Sequence, residues 1–171
     1  MSKLRPGRSY REMKIPYTRK SKYKATNYVK MAQSPKITQY HSGNSKQSFG
    51  RSIILISERS IQIRDNAIEA ARIVANKYLT DNVGDQNFHL IVIAYPHQII
   101  REHKLATGAG ADRFSSGMQK SFGKPIGLAA RINAGGRIFE IHIGESHLSQ
   151  AKVAAQKISK KLGIGTKAVI I

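Results

Sequence analysis

The sequence predicts an α+β protein: a two-layer sandwich with a mostly antiparallel sheet, two helices on one face, a basic N-terminal arm and a long glycine-rich loop. Two observations carry the fold class. Short β-branched runs alternate along the chain with two amphipathic stretches, each of which has a single apolar stripe. A third observation sets the limits of the folded part: apolar periodicity starts only near Ser52 and is interrupted between Arg101 and Pro125. The predicted organisation is a basic arm over residues 1–51 and a sandwich domain over residues 52–171, from which the loop 101–125 protrudes.

Taken in order, residues 1–51 carry Pro6, Pro16 and Pro35 and little apolar periodicity, with room for a short strand near Lys36–Tyr40. Ile53-Ile54-Leu55-Ile56 reads as a buried strand. Asp65 and Asn66 are N-cap candidates, with Glu69 three residues beyond Asn66 as in a capping box. Ile68, Ala71, Ala75, Tyr78 and Leu79 form the stripe of the first helix. Phe88 to Tyr95 reads as a second strand, ended by Pro96. After the loop, Leu128, Ala130 and Ile132 alternate with Ala129 and Arg131. Asn133-Ala134-Gly135-Gly136 turns the chain, and Phe139, Ile141 and Ile143 alternate on the return, which predicts a hairpin. Ser146 is placed to cap a second helix with Leu148, Ala151, Ala155, Ile158 and Leu162 on its apolar face. Gly163 follows its last turn. Lys167–Ile171 suits a closing strand.

Charge narrows the function. The 171 residues hold 29 Lys and Arg against 10 Asp and Glu, a formal charge of +19. Self-repulsion of that size opposes a compact monomer, so a polyanionic partner is expected. The arm concentrates the imbalance, with 13 cations against the single acid Glu12, and five of the seven tyrosines are interleaved with them. No run of 18 apolar residues is present and the N-terminus lacks the apolar core of a secretory signal, which predicts a cytoplasmic protein without membrane spans. There is no cysteine.

Catalytic readings find little support. The ten acids are scattered and none of the six histidines falls in a metal-binding spacing; Glu140 and His142 share a strand face, which reads as a solvated face. Neither a catalytic residue, a metal site nor a cofactor is expected. Gly117-MQKSF-Gly123-Lys124-Pro125 misses a phosphate-binding loop twice, in the five-residue spacing of its glycines and in Pro125 where a Ser or Thr would hold magnesium. Gly108-Ala109-Gly110 lacks the third glycine of a dinucleotide fingerprint, since Arg113 stands there. A structureless segment longer than about 12–15 residues is uncommon in a compact domain unless it is functional or disordered. With Arg101, Lys104, Arg113, Lys120 and Lys124 among its glycines, this one is shaped to meet an anionic surface. Structured RNA, recognised by shape and backbone, fits better than duplex DNA, because no helix-turn-helix, zinc finger or basic zipper is visible. The alternatives are an RNA-modifying enzyme with a basic docking arm and a DNA-packing protein.

Ala106-Thr107-Gly108-Ala109-Gly110-Ala111-Asp112-Arg113, followed by Gly117-Met118 and Phe122-Gly123-Lys124-Pro125, resembles the signature of one ribosomal protein family. It is the large-subunit ribosomal protein ten family of archaea and eukaryotes, counterpart of bacterial large-subunit ribosomal protein sixteen. Leu4-Arg5-Pro6, Tyr10-Arg11, Pro35-Lys36-Ile37-Thr38, Gln62–Ala67, Glu69–Arg72 and Tyr95-Pro96-His97 agree with it, so the similarity covers nearly the whole chain. Ser9 and Ser121 stand where members often carry Cys and Ala, and the end of the chain soon after the second helix resembles archaeal members. The resemblance implies a structural, non-catalytic component of the large subunit, bound to ribosomal RNA near the A-site tRNA cleft, with neighbouring ribosomal proteins and no membrane or small-molecule substrate as partners. The RNA-binding candidates are Lys3, Arg5, Arg8, Arg11, Arg19, Lys20, Lys22, Lys24, Lys36 and Arg51. The loop matching residues 103–118 is expected to point toward the peptidyl transferase centre and tRNA acceptor ends. His103, Lys104, Gly108, Gly110, Asp112, Arg113, Phe114, Gly117, Lys120 and Lys124 are the candidates on that side.

Overall fold

The computed structural model describes residues 5–13, 34–102, 110 and 123–171. A 3-10 turn, Gly7–Tyr10, precedes strands β1 (His41–Gly43), β2 (Arg51–Ser57) and β3 (Ile61–Arg64). Helix α1 (Asp65–Val83), strands β4 (Phe88–Val92), β5 (Gln98–Glu102), β6 (Lys124–Ile132) and β7 (Arg137–Ile143), helix α2 (Leu148–Leu162) and strand β8 (Thr166–Ile170) complete the order. The class is α+β, as expected. The strands, all antiparallel, divide into two sheets: five strands in the order β1-β4-β7-β2-β8 and three in the order β3-β6-β5.

The predicted hairpin at Asn133–Gly136 is not formed, because β6 pairs with β3 and β5 while β7 pairs with β2 and β4. The turn is instead half of a corner shared by two long strands. Ile56 faces Arg137 before it and Ile61 faces Ile132 after it, so one register runs through both sheets. Ser57 N–H donates to Gly136 O (2.9 Å), Gly135 N–H to Ser57 O (2.8 Å) and Ala134 N–H to Ser60 Oγ (3.1 Å). The backbone polar groups of the bend are thereby satisfied without a ladder.

One core holds the layers together. Ile68, Ala71, Ala75, Leu79 and Val83 of α1 and Ala151, Ala154, Ala155, Ile158 and Leu162 of α2 are buried with Ile53, Leu55, Phe88, Leu90, Phe139, Ile141 and Ile143 of the larger sheet. Ile61, Ile63, Ala130 and Ile132 bring the smaller sheet into the same cluster. Alanines at the helix contact let the two backbones approach, and each large side chain buried contributes about 1.5–3 kcal/mol. The helices end on glycine: Gly84 at φ 86° and Gly163 in the left-handed region at φ 63°, with its N–H on Ser159 O at 3.0 Å.

The start signals are spent differently from the expected ones. Arg64, not Asp65 or Asn66, occupies the cap of α1, and Glu69 pairs with Arg72 instead of closing a capping box. Ser146 lies in a 3-10 turn, Glu145–His147, ahead of α2, whose cap is His147. The strand of the arm forms just beyond Tyr40, at His41–Gly43, and Ile37 joins the core at 6 % exposure. Arg101 and Glu102 belong to β5, and Lys124 and Pro125 to β6.

Candidate nucleic-acid interface

The three-stranded sheet is the base on which the described part of the arm meets the root of the loop. β3 is an edge strand, and its outward backbone needs partners. The described part of the arm supplies them: Gln62 N–H donates to Arg11 O at 2.8 Å, Gln62 Nε2 to Tyr10 O at 3.0 Å, and Arg64 Nη1 to Arg5 O at 2.9 Å. The Arg64 guanidinium also sits 5.9 Å from the centre of the Tyr10 ring. Burial, then the nearby Glu102 carboxylate, pushes the Tyr10 phenol above its ordinary value.

On the other edge, β5 and β6 form the root of the loop. Glu102 faces Lys124 across the pair, and Arg101 Nη1 donates to Gly123 O at 2.9 Å, tying the two arms of the loop together. Arg5 Nε lies 3.5 Å from Glu102 Oε1, so the arm is bridged to the loop root by an ion pair. Arg5, Arg8, Arg11 and Lys124 are all exposed. With Arg5, Tyr10 and Arg11 held through their backbone carbonyls, the exposed side chains of this segment are presented from a set place.

Other candidates lie elsewhere. Lys36 is exposed while its backbone N–H reaches Asp65 Oδ2 at 3.3 Å, at the start of α1. Arg51 is at the opposite end of the larger sheet, and Glu145 takes its guanidinium at 3.1 Å. Gly110 has φ 84°, a left-handed conformation suited to glycine. Lys3, Arg19, Lys20, Lys22, Lys24, His103, Lys104, Gly108, Asp112, Arg113, Phe114, Gly117 and Lys120 lie outside the described residues. Of the arm tyrosines within them, Tyr10 is under Arg64 and Tyr40 stacks on the exposed Tyr95 at 5.6 Å between centroids.

Two exposed cations escaped the sequence reading. Arg59, at the sheet corner, and Lys160, in the last turn of α2, line a groove with Arg11, Glu58 and Gly163–Gly165. The Lys160–Lys161 pair is visible in the sequence as a helix end, but only the corner brings Arg59 beside it.

The C-terminal part of the arm, Thr38 and Ser42, is locked to α1 by a largely buried charge network. Arg72, 7 % exposed, donates to Glu69 Oε2 and Oε1 at 3.0 and 2.7 Å and to Thr38 Oγ1 at 3.2 Å. Its third arm reaches Ser42 Oγ at 3.4 Å, and Thr38 Oγ1 in turn donates to Glu69 at 3.1 Å. Hydrogen bonding from Arg72 holds the Glu69 carboxyl below its ordinary value, against the opposing effect of burial. Among the described residues no group of His, Asp and Glu is arranged to hold a metal ion, and no helix is long and apolar enough to cross a membrane.

The match to known proteins is nearly end to end. The family model for ribosomal protein L16p/L10e covers residues 13–169. The chain belongs to this family. Large ribosomal subunit protein uL16 of Archaeoglobus fulgidus is 40 % identical over 166 residues, 97 % of this chain and 92 % of the relative. The protein of the same name from Metallosphaera sedula is 44 % identical over 171 residues, covering 98 % and 94 %. That from Sulfolobus acidocaldarius is 44 % identical over 167 residues, 96 % and 92 %. The L16p/L10e family is one of ribosomal proteins, so the chain is a ribosomal protein and not an enzyme. Its archaeal relatives match the kinship expected from the sequence.

Proposed function

We propose that this protein is a structural constituent of the large ribosomal subunit that binds large-subunit ribosomal RNA beside the A-site tRNA cleft. The loop between β5 and β6 is directed toward the peptidyl transferase centre and tRNA acceptor ends. Its partners are ribosomal RNA, tRNA and neighbouring ribosomal proteins, and its place is the cytoplasmic ribosome. Division of labour follows the basic arm, residues 1–51, as anchor and residues 52–171 as the body that carries the loop.

The observation that supports this best is the meeting of arm and loop on the three-stranded sheet. Arg5 bridges to Glu102 at the loop root, across from the exposed Lys124, while Arg8 and Arg11 are exposed along the described arm. A charge of +19 is then carried by a chain in which the described part of the arm is bridged to the loop root. The arm cations Lys3, Arg19, Lys20, Lys22 and Lys24 extend the contact, and Lys104, Arg113 and Lys120 carry it along the loop. If about ten phosphates are neutralised, the affinity for ribosomal RNA falls with salt at a log–log slope of about −7 to −9. Filter binding of the full chain to deproteinised large-subunit RNA across a salt series measures that slope. A slope near zero overturns the electrostatic reading.

A further inference from the structure

Both helices cover one face of the five-stranded sheet, and the opposite face carries a row of imidazoles. His89 on β4 is directly across from His142 on β7, with ring centroids 5.8 Å apart. His41 on β1 reaches His89 diagonally at 5.3 Å, and its Nδ1 lies 3.2 Å from His89 Nε2. Gly43 is the residue across from His89 on β1, so no side chain separates the rings there. His142 Nε2 is 3.3 Å from Glu140 Oε1, the acid two residues earlier on the same strand face. Three rings from three strands thus form one continuous stack.

The geometry leaves three ring nitrogens without a partner among the described residues: His41 Nε2, His89 Nδ1 and His142 Nδ1. The rings are offset and near parallel, with His41 and His89 joined through one edge nitrogen each. His41 is exposed, and the side chain of His142 is 30 % exposed. The charged groups facing the row are few. β4 contributes only His89, β7 adds Glu140 and, across from Ile56, Arg137, β2 offers the neutral Ser52 across from His142, β8 brings Lys167 at the far margin opposite Ile56, and His41 shares a groove with Lys46 and Asp85. Burial and the neighbouring His41 and His142 depress the basicity of His89, with Glu140 opposing them. Lys46 beside His41 and Arg137 with Lys167 at the margin give this face fixed positive charge, which an approaching polyanion complements.

We propose that this histidine row is a second docking surface, on which phosphates of ribosomal RNA are held by imidazolium edges that take their protons from solvent as the RNA binds. The proposal rests on the reading of the chain as an RNA-binding ribosomal protein. It differs from the arm and loop in consequence: contact here is tied to proton uptake, whereas Lys and Arg stay charged throughout the physiological range.

Isothermal titration of the full chain with deproteinised large-subunit RNA, at fixed ionic strength and in two buffers of different ionisation enthalpy, counts the protons taken up. Net uptake of about one proton strengthens binding about tenfold per pH unit below neutrality. The variant H41Q/H89Q/H142Q is expected to lose that uptake and that pH dependence while keeping the salt slope supplied by arm and loop. If the triple variant does not give the wild-type circular dichroism spectrum, H41Q and H142Q singly each remove part of the uptake. A variant that tracks the wild type at every pH overturns the proposal, as does a pH dependence abolished by EDTA, which makes the row a metal site. Absence of RNA binding by the wild type at any pH would instead sink the functional reading beneath it.

Discussion

Removing the Arg72 guanidinium tests how the C-terminal part of the arm is held to the body. Arg72→Met keeps the aliphatic stem and helix propensity but deletes two short charge-assisted bonds to Glu69, at 3.0 and 2.7 Å, and the links to Thr38 and Ser42. The site is nearly dry, with side-chain exposures of 9 % and 13 % for Arg72 and Glu69. Water reaches the site only from the exposed Thr38 side, and within the protein Glu69 keeps Thr38 as its partner. Breaking a buried pair from one side costs about 3–5 kcal/mol, because it strands a charge. For a chain of this size each kcal/mol lowers the melting temperature by about 2–4 °C, so a fall of about 6–20 °C is expected. The double variant R72M/E69Q removes both charges and recovers most of the loss. The sign with pH is fixed by Glu69. Its folded-state pKa is depressed, so its contribution is present above the unfolded carboxylate value of about 4.3 and fades as pH falls through the lower folded value. The gap between wild type and R72M should accordingly narrow in acid. Thermal denaturation by circular dichroism at pH 7 and below pH 4 reads both effects. A fall of under 1 °C, or a double variant no better than the single one, refutes the reasoning.

Two further outcomes follow from the backbone. Gly43 has φ 84°, and a Cβ there would run into the carbonyl oxygen and ring of Phe88, so Gly43→Ala should free β1 and lower the melting temperature by several degrees. Hydrogen exchange at His41–Gly43 would rise with it; wild-type protection in the variant contradicts the assignment. Deleting residues 106–117 shortens a connection whose ends are already paired at Glu102 and Lys124. Loop closure changes by less than about 1 kcal/mol for such a change in length, so the body should melt near the wild-type temperature while ribosomes carrying the variant translate poorly. Loss of folding would make the loop structural.

The elements that could be read from the sequence are those with a local period. The stripe Leu148, Ala151, Ala155, Ile158 and Leu162, closed by Gly163, is α2 as expected, because every residue of that pattern answers to one buried side. The runs at Ile53–Ile56 and Phe139–Ile143 are equally direct. β3 and β5 were missed since each is short and abuts a stronger signal, the start of α1 in one case and Pro96 with the loop in the other. The hairpin failed for a different reason. Asn133–Gly136 does turn the chain, but which strands pair afterwards is decided by Ser57–Ser60, far away in sequence. The capping box does not form because Glu69 is held by Arg72, one turn along the same helix, and by Thr38 from a distant segment. In the same way Glu140 and His142 were legible as neighbours on a strand, whereas their extension through His89 to His41 depends on the order of β1, β4 and β7.

Residence in the large subunit is read most directly by sedimentation. Cell extract run through a sucrose gradient, with the chain followed by antibody, should place it with the large subunit and with translating ribosomes, and the R8A/R11A/K124A variant should shift toward the free fraction at elevated salt. A wild-type chain found only at the top of the gradient would contradict its assignment as a ribosomal constituent.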